Sequence, residues 1–128
     1  MANSYFTNKK CLLTGAASGI GKTTAIELAA RGAELFLTDI NAKGLQQTDD
    51  FIKSQNGKVS AYKAFNVADF EQVKLFAEEI YTQHGAMDIV MNIAGISAWG
   101  AVDKMQHEEW NNIIDINLKG PIHIIETF

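Results

Sequence analysis

The sequence is poor in the features that mark secreted, fibrous or membrane-spanning chains. Its 128 residues include one cysteine and one proline. An internal disulfide is therefore excluded, and Cys11, within an apolar run, is interpreted as a small core residue. The sequence shows no apolar run long enough to span a bilayer and no low-complexity segment, and we expect no signal peptide. We expect a cytoplasmic protein with no membrane partner.

Positive charge is also scarce. Eleven Lys and Arg stand against fifteen Asp and Glu, for a formal net charge of −4, which argues against nucleic acid as a main partner. The histidines, His84, His107 and His123, have no metal-ligand spacing and no clustered carboxylates, so we predict no metal site. The hydrophobic content of 47% predicts a folded chain.

Strand and helix patterns alternate along the chain. Strands are predicted over 9–14, 33–38, 58–65 and 87–93, the last as an apolar run typical of a strand buried on both faces. Helices are predicted over about 18–31, 41–55, 69–85 and 107–128. This order predicts an α/β fold, a Rossmann-type doubly wound parallel sheet of order 3-2-1-4 with helices on both faces. We expect one domain over 1–128, truncated at its C-terminus.

Three glycines, Gly15, Gly19 and Gly21, fall where the first strand passes into the first helix. Glycine accepts positive φ, lets the backbone approach a pyrophosphate and lets helix and strand pack closely. The N–H groups at the helix start then face the phosphates. The turn therefore predicts a phosphate-binding cradle.

The same turn has a rival interpretation, because Gly21-Lys22-Thr23 matches the end of a Walker A loop. That loop needs its first glycine five positions before the second, where this chain has Ala16. The extra residue would change the shape of the phosphate nest. We therefore disfavour a P-loop NTPase and interpret Lys22 as a helix-surface residue.

An acidic residue, Asp39, closes the second predicted strand 18 residues after Gly21. It is placed to accept hydrogen bonds from the adenosine ribose hydroxyls, and its charge repels a 2′-phosphate. No Arg or Lys occupies positions 16–20 or 38–42 to offset that repulsion. The pattern predicts NAD rather than NADP as the cofactor.

The third and fourth strands end in polar or small residues at the same edge of the predicted sheet. Asn66-Val67 follows the third strand, where an adenine ring would lie. Asn92-Ile93-Ala94-Gly95 ends the fourth, with small residues where the backbone would approach the ribose and nicotinamide. Asn92 is unusual for a buried strand and needs a partner from the sheet or a ligand.

Together these motifs resemble the N-terminal half of the short-chain dehydrogenase/reductase family. Its TGxxxGxG motif is matched from Thr14 to Gly21, and its NNAG motif appears as NIAG. The resemblance implies an NAD-dependent oxidoreductase that moves a hydride between nicotinamide and a small-molecule alcohol or ketone, with this chain as the cofactor-binding half. It implies cofactor contacts from Gly15, Ser18, Gly19, Ile20, Gly21, Asp39, Ile40, Asn66, Val67, Asn92, Ala94 and Gly95.

The last predicted helix carries Pro121 four residues after Asn117. Proline has no N–H, so the Asn117 carbonyl loses its helical donor and a kink is expected nearby. In the family this position resembles the catalytic asparagine whose main-chain carbonyl holds a water of the proton relay. Asn117 is thus the one member of the family's catalytic set that this sequence matches.

The family's catalytic serine, tyrosine and lysine have no counterpart in their proper places. Tyr5 and Lys9 have the Tyr-xxx-Lys spacing but lie before the first strand, at the far end of the sheet, and we interpret them as coincidence. We expect the chain alone to bind NAD weakly and to be inactive. An apolar edge on the fourth strand predicts that the isolated chain aggregates, self-associates or is marginally stable. We expect a homo-oligomer. A non-catalytic nucleotide-binding or scaffold module stays open as the alternative.

Overall fold

The computed structural model describes residues 4–128, which build a four-stranded parallel sheet of order β3-β2-β1-β4. This order confirms the predicted doubly wound topology. The strands are β1 Lys10–Thr14, β2 Glu34–Asp39, β3 Lys58–Ala64 and β4 Ile89–Met91. The helices are α1 Gly19–Ala30, α2 Ala42–Ser54, α3 Phe70–His84, α4 His107–Ile114 and α5 Gly120–Thr127.

Alternate residues of the two central strands feed two separate apolar clusters, one on each face of the sheet. Cys11 and Leu13 of β1 pack with residues of α1 and α2, whereas Leu12 packs with residues of α3 and α5. In β2, Phe36 faces the α3 side and its two neighbours face the other. Successive strand residues point to opposite faces, so a strand buried on both sides has to be apolar throughout.

The helix boundaries follow the capping signals in the sequence. The Asn41 side chain accepts a hydrogen bond from the Gly44 N–H at the start of α2. The Asp69 side chain accepts one from the Gln72 N–H at the start of α3. Gly32, just after α1, has φ +85°, a left-handed conformation that glycine adopts without strain.

The fourth strand departs from its prediction in length and burial. β4 has three residues, all half-buried, so the expectation of a strand over 87–93 buried on both faces is wrong. The reason is that β4 pairs with β1 alone among the described residues, which leaves its other edge open. Asn92 lies just beyond β4 and is exposed, so it does not need the partner that burial would have required.

The last helical segment is interrupted as Pro121 predicts. A π-helical turn, Asp115–Lys119, separates α4 from α5, and Pro121 lies in the first turn of α5. The Gly120 N–H bonds to the Asp115 carbonyl, five residues back instead of four. The wider turn is the expected distortion, and Asn117 lies at its middle.

No described helix has the length and apolarity needed to cross a membrane.

The single cysteine lies in the core, as its position in an apolar run predicts. Cys11 is fully buried, and burial, with the nearby Asp88 charge, raises the pKa of its thiol. A thiol held neutral in the core packs as an apolar group and is a poor nucleophile.

Candidate functional site

A cleft of about 330 Å³ opens at the carboxyl ends of the strands. In a doubly wound sheet this is the edge where ligands bind, beside the point at which the strand order reverses. Of the twelve residues expected to contact a cofactor, all but Asn92 line the cleft. Its full lining is Gly15, Ser18, Gly19, Ile20, Gly21, Asp39, Ile40, Phe65, Asn66, Val67, Ile93, Ala94, Gly95, Ile96 and Ile116.

The N-terminus of α1 supplies hydrogen-bond donors to one end of the cleft. The first N–H groups of a helix have no acceptor within it, and they carry the positive end of the helix dipole. Ser18, at the N-cap, makes no side-chain capping bond, and the first turn holds no acidic residue. The end of α1 at Gly19 to Gly21 is therefore suited to an anion.

The three glycines of this turn have different physical roles. A Cβ on Gly21 would lie 1.9 Å from the Gly15 carbonyl oxygen, and one on Gly15 would lie 2.9 Å from the Ala94 nitrogen. Gly19 has φ +51°, but a Cβ there would meet nothing within 4 Å. Gly15 and Gly21 are thus required for close packing, whereas Gly19 leaves open space above the helix start.

The Asp39 carboxylate joins the end of β2 to the glycine turn. Its Oδ2 accepts a hydrogen bond of 2.9 Å from the Ala17 N–H, and its Oδ1 accepts one of 2.9 Å from the Asn41 N–H. A carboxylate has about four acceptor positions, so two remain for a ligand. Asp39 is half-buried in the cleft wall, with its orientation fixed by these two bonds.

The buried hydroxyl of Thr14 joins β1 to the segment after β4. Its Oγ1 accepts hydrogen bonds of 3.0 Å from both the Ile93 and the Ala94 N–H groups. The side chain therefore sets the position of the backbone that approaches Gly15. Sequence reasoning used Thr14 only to match a motif, although a hydroxyl at the end of a buried strand already signals a need for partners.

The turn at Asn66 and Val67 forms part of the cleft wall. The Asn66 Oδ1 accepts a hydrogen bond from the Ala68 N–H, and the Asn66 carbonyl accepts one from the Asp69 N–H, both 2.9 Å. Val67 is buried and lines the cleft. Its N–H has no acceptor within residues 4–128, which leaves a donor for a ligand.

Asn117 lies outside the cleft lining but contacts it through Ile96. The Asn117 Nδ2 donates to the Ile96 carbonyl at 2.7 Å, and the Ile96 N–H donates to the Asn117 Oδ1 at 2.8 Å. Asn117 itself is exposed. The structure thus brings the π-helical turn and the segment after β4 together at one end of the cleft.

Sequence reasoning missed four apolar residues of the wall. Each is the immediate sequence neighbour of a predicted site residue, and this adjacency is the available signal. They are Phe65, Ile93, Ile96 and Ile116.

Tyr5 and Lys9 lie at the opposite end of the sheet, as expected. The Lys9 Nζ is 6.0 Å from the centre of the Tyr5 ring and 3.6 Å from the carboxylate of Asp88, the residue before β4. Neither residue lines the cleft. No cluster of His, Cys, Asp and Glu suited to a metal ion occurs in the described part of the chain.

Comparison with known proteins places this arrangement in a family. The family model described as short chain dehydrogenase matches residues 9–128. A cyclohexanol dehydrogenase of an Acinetobacter species is 40% identical over 117 residues, which make up 91% of this chain and 46% of that protein.

Two solved structures share the fold closely. Carveol dehydrogenase from Mycobacterium avium, in complex with NAD, superposes with a TM-score of 0.88 at 28% identity, covering 97% of this chain and 49% of that one. A metagenomic short-chain oxidoreductase in complex with NADP gives 0.90 at 28% identity, covering 98% of this chain and 57% of that one. This chain therefore spans about half the length of these relatives.

Proposed function

The chain belongs to the short-chain dehydrogenase family, and on that premise we propose that its cleft binds NAD as the cofactor-binding half of an oxidoreductase. One observation carries the proposal. The uncapped N-terminus of α1 and the Asp39 carboxylate line the same cleft. A dinucleotide offers the matching groups, a pyrophosphate for the helix end and a ribose diol for the carboxylate.

The pyrophosphate is assigned to the glycine turn. The N–H groups at the start of α1 donate to its oxygens, and the helix dipole favours its negative charge. The open space above Gly19 leaves room for the phosphates to approach the backbone. No side chain of the first helical turn competes for this position with a negative charge.

The adenosine ribose is assigned to Asp39. Two of the carboxylate's acceptor positions are taken by backbone N–H groups, and the others suit the 2′ and 3′ hydroxyls. A 2′-phosphate would bring negative charge against Asp39 with no Arg or Lys at 16–20 or 38–42 to neutralise it. NAD is therefore favoured over NADP on the charge of this chain's own residues.

The adenine ring is assigned to the wall at Asn66 and Val67. The free Val67 N–H suits a ring nitrogen, which is an acceptor, and Ile40 and Phe65 offer apolar surface in the same cleft. The nicotinamide is assigned to the other end, beside Ala94 and Gly95, where the small side chains leave the backbone accessible.

The bound dinucleotide would supply hydride chemistry between its nicotinamide and an alcohol or ketone. Within this chain, Asn117 is the residue assigned to the catalytic end, where it holds Ile96. The serine, tyrosine and lysine of the family's proton transfer are assigned to the part of the relatives that this chain does not span. The 128 residues are thus proposed to bind cofactor without turnover.

Two measurements test whether this chain binds cofactor without turnover. They are calorimetric titration with NAD and an absorbance assay of NADH formation from a series of secondary alcohols. We expect binding of NAD and no steady formation of NADH by the 128-residue chain. Steady turnover would overturn the assignment of proton transfer to residues outside it. Absence of NAD binding would overturn the assignment of the cleft.

A further inference from the structure

The histidine on α5, His123, is hydrogen-bonded to the wall of the cleft. Its Nδ1 lies 2.9 Å from the carbonyl oxygen of Val67, a residue 56 positions earlier in the chain. A carbonyl oxygen only accepts, so the proton of the neutral ring has to be on Nδ1. The ring is half-buried and lies against Phe70, with 5.2 Å between the ring centres.

The backbone of α5 also lies directly against Val67. Gly120 is buried, and a Cβ on it would come within 2.7 Å of the Val67 Cγ2. Val67 is therefore held by α5 at its side chain, through Gly120, and at its carbonyl, through His123. Its remaining polar group, the N–H, has no acceptor among the described residues and belongs to a residue that lines the cleft.

We propose that His123 is a positioning residue for the adenine end of the cleft, holding Val67 so that its free N–H presents to the base. The proposal rests on the proposed function. His123 does not line the cleft, so its effect on a ligand passes through Val67. Loss of the ring would leave the Val67 carbonyl without its donor and remove one of the two contacts by which α5 holds Val67.

The proton position on His123 gives a test that needs no ligand. Nitrogen-15 NMR of the neutral ring in the free protein distinguishes the two tautomers. We expect His123 to be mainly the Nδ1–H tautomer. A His123→Asn variant should keep the chemical shifts of the Val67 and Ala68 amides near their original values, because Asn Nδ2 is bonded to Cγ as His Nδ1 is. A mainly Nε2–H tautomer would overturn the proposal.

The two halves of NAD, AMP and nicotinamide mononucleotide, provide a second test. His123→Leu removes the donor, and we expect the Kd for AMP to rise about three- to tenfold, the range of one net hydrogen bond, with the Kd for nicotinamide mononucleotide changed less than twofold. His123→Asn should restore AMP binding to within about twofold, because its amide donates from the same branch point. His107→Leu, on an exposed histidine of α4, is the matched control and should change neither Kd.

These measurements distinguish the proposed role of His123 from the proposal that the cleft binds NAD. An equal loss of both ligands in His123→Leu, no loss of AMP binding, or no rescue by His123→Asn would overturn the role of His123 and leave the cleft assignment intact. Failure of the unsubstituted protein to bind AMP would overturn both.

Discussion

The Asn117 side chain pairs with the Ile96 backbone as a neighbouring β-strand would. One amide both donates to the Ile96 carbonyl, at 2.7 Å, and accepts from the Ile96 N–H, at 2.8 Å. Asn117 lies at the middle of the π-helical turn Asp115–Lys119, which joins α4 to α5. One end of the cleft is therefore held by a side chain that does not line it.

Replacing Asn117 by Ala removes both hydrogen bonds and leaves the polar groups of Ile96 without protein partners. We expect the free energy of unfolding to fall by about 1–3 kcal/mol, since each net hydrogen bond contributes about 0.5–1.5 kcal/mol. Hydrogen exchange of the Ile96 amide should accelerate in parallel. Asn112→Ala, on an exposed residue of α4, is the control. Unaltered exchange at Ile96 would show that the pairing does not persist in solution.

Asp39 is expected to set the choice between the two nicotinamide dinucleotides. Asp39→Asn keeps one acceptor for the glycine turn but removes the negative charge, so the affinity for NAD should fall and the preference for NAD over NADP should weaken. Calorimetric titration with each cofactor measures the ratio of affinities. Asp50→Asn, exposed on α2, serves as the comparison. A ratio unchanged by Asp39→Asn would remove Asp39 from this role.

Two glycine substitutions in one turn should have unlike effects. Gly21→Ala places a Cβ 1.9 Å from the Gly15 carbonyl oxygen, so we expect the turn to be displaced and binding of NAD to be lost. Gly19→Ala meets no neighbour but strains a residue with φ +51°, at a cost of about 1–2 kcal/mol. Thermal unfolding and NAD titration of both variants measure whether Gly21→Ala has the larger effect. Equal losses of stability and NAD affinity in the two variants would contradict the different roles of Gly19 and Gly21.

Acid should destabilise the fold partly through Glu34, at the start of β2. Burial raises the pKa of Glu34, but hydrogen bonds from Ser60 and Lys58, with the charges of Lys58 and His84, together lower it below its ordinary value. In the pH range where glutamate titrates, the folded chain therefore binds fewer protons than the unfolded chain. The stabilisation is present above the ordinary glutamate pKa of about 4.3 and is lost as the pH falls through the lower, folded value.

The variant Glu34→Gln should therefore be less stable than the native chain above about pH 4.3, and the difference should shrink on further acidification. Urea unfolding at a series of pH values measures it, with Glu78→Gln on the exposed face of α3 as the control. A difference that is constant with pH would show that the Glu34 pKa is not lowered by folding.

The strand order and the position of the cleft could be predicted because they follow from local patterns. The glycines, the acidic residue after β2 and the NIAG sequence all occur at strand ends, and the parallel topology places such ends at one edge. The interruption of the last helix could also be predicted, because the missing N–H of Pro121 affects residues of the same helix.

What sequence reasoning missed depends on contacts between distant residues. The bond between His123 and Val67 joins positions 56 apart, and Thr14 reaches Ala94 across 80. Burial of β4 was overestimated because an apolar run predicts a covered strand, whereas exposure depends on which neighbours lie beside it. Such pairings are set by packing of the whole sheet. A local signal such as the Thr14 hydroxyl shows that a partner is needed, but not which distant residue supplies it.

Amide chemical-shift mapping of the nitrogen-15-labelled chain during titration with NAD, followed by addition of Mg-ATP, tests whether the cleft holds NAD. We expect shifts at the glycine turn, Asp39, Val67 and Ala94, with no displacement of NAD by equimolar Mg-ATP. Shifts confined to the opposite end of the sheet, near Lys9 and Asp88, or displacement of NAD by Mg-ATP, would contradict the proposal that the cleft holds NAD.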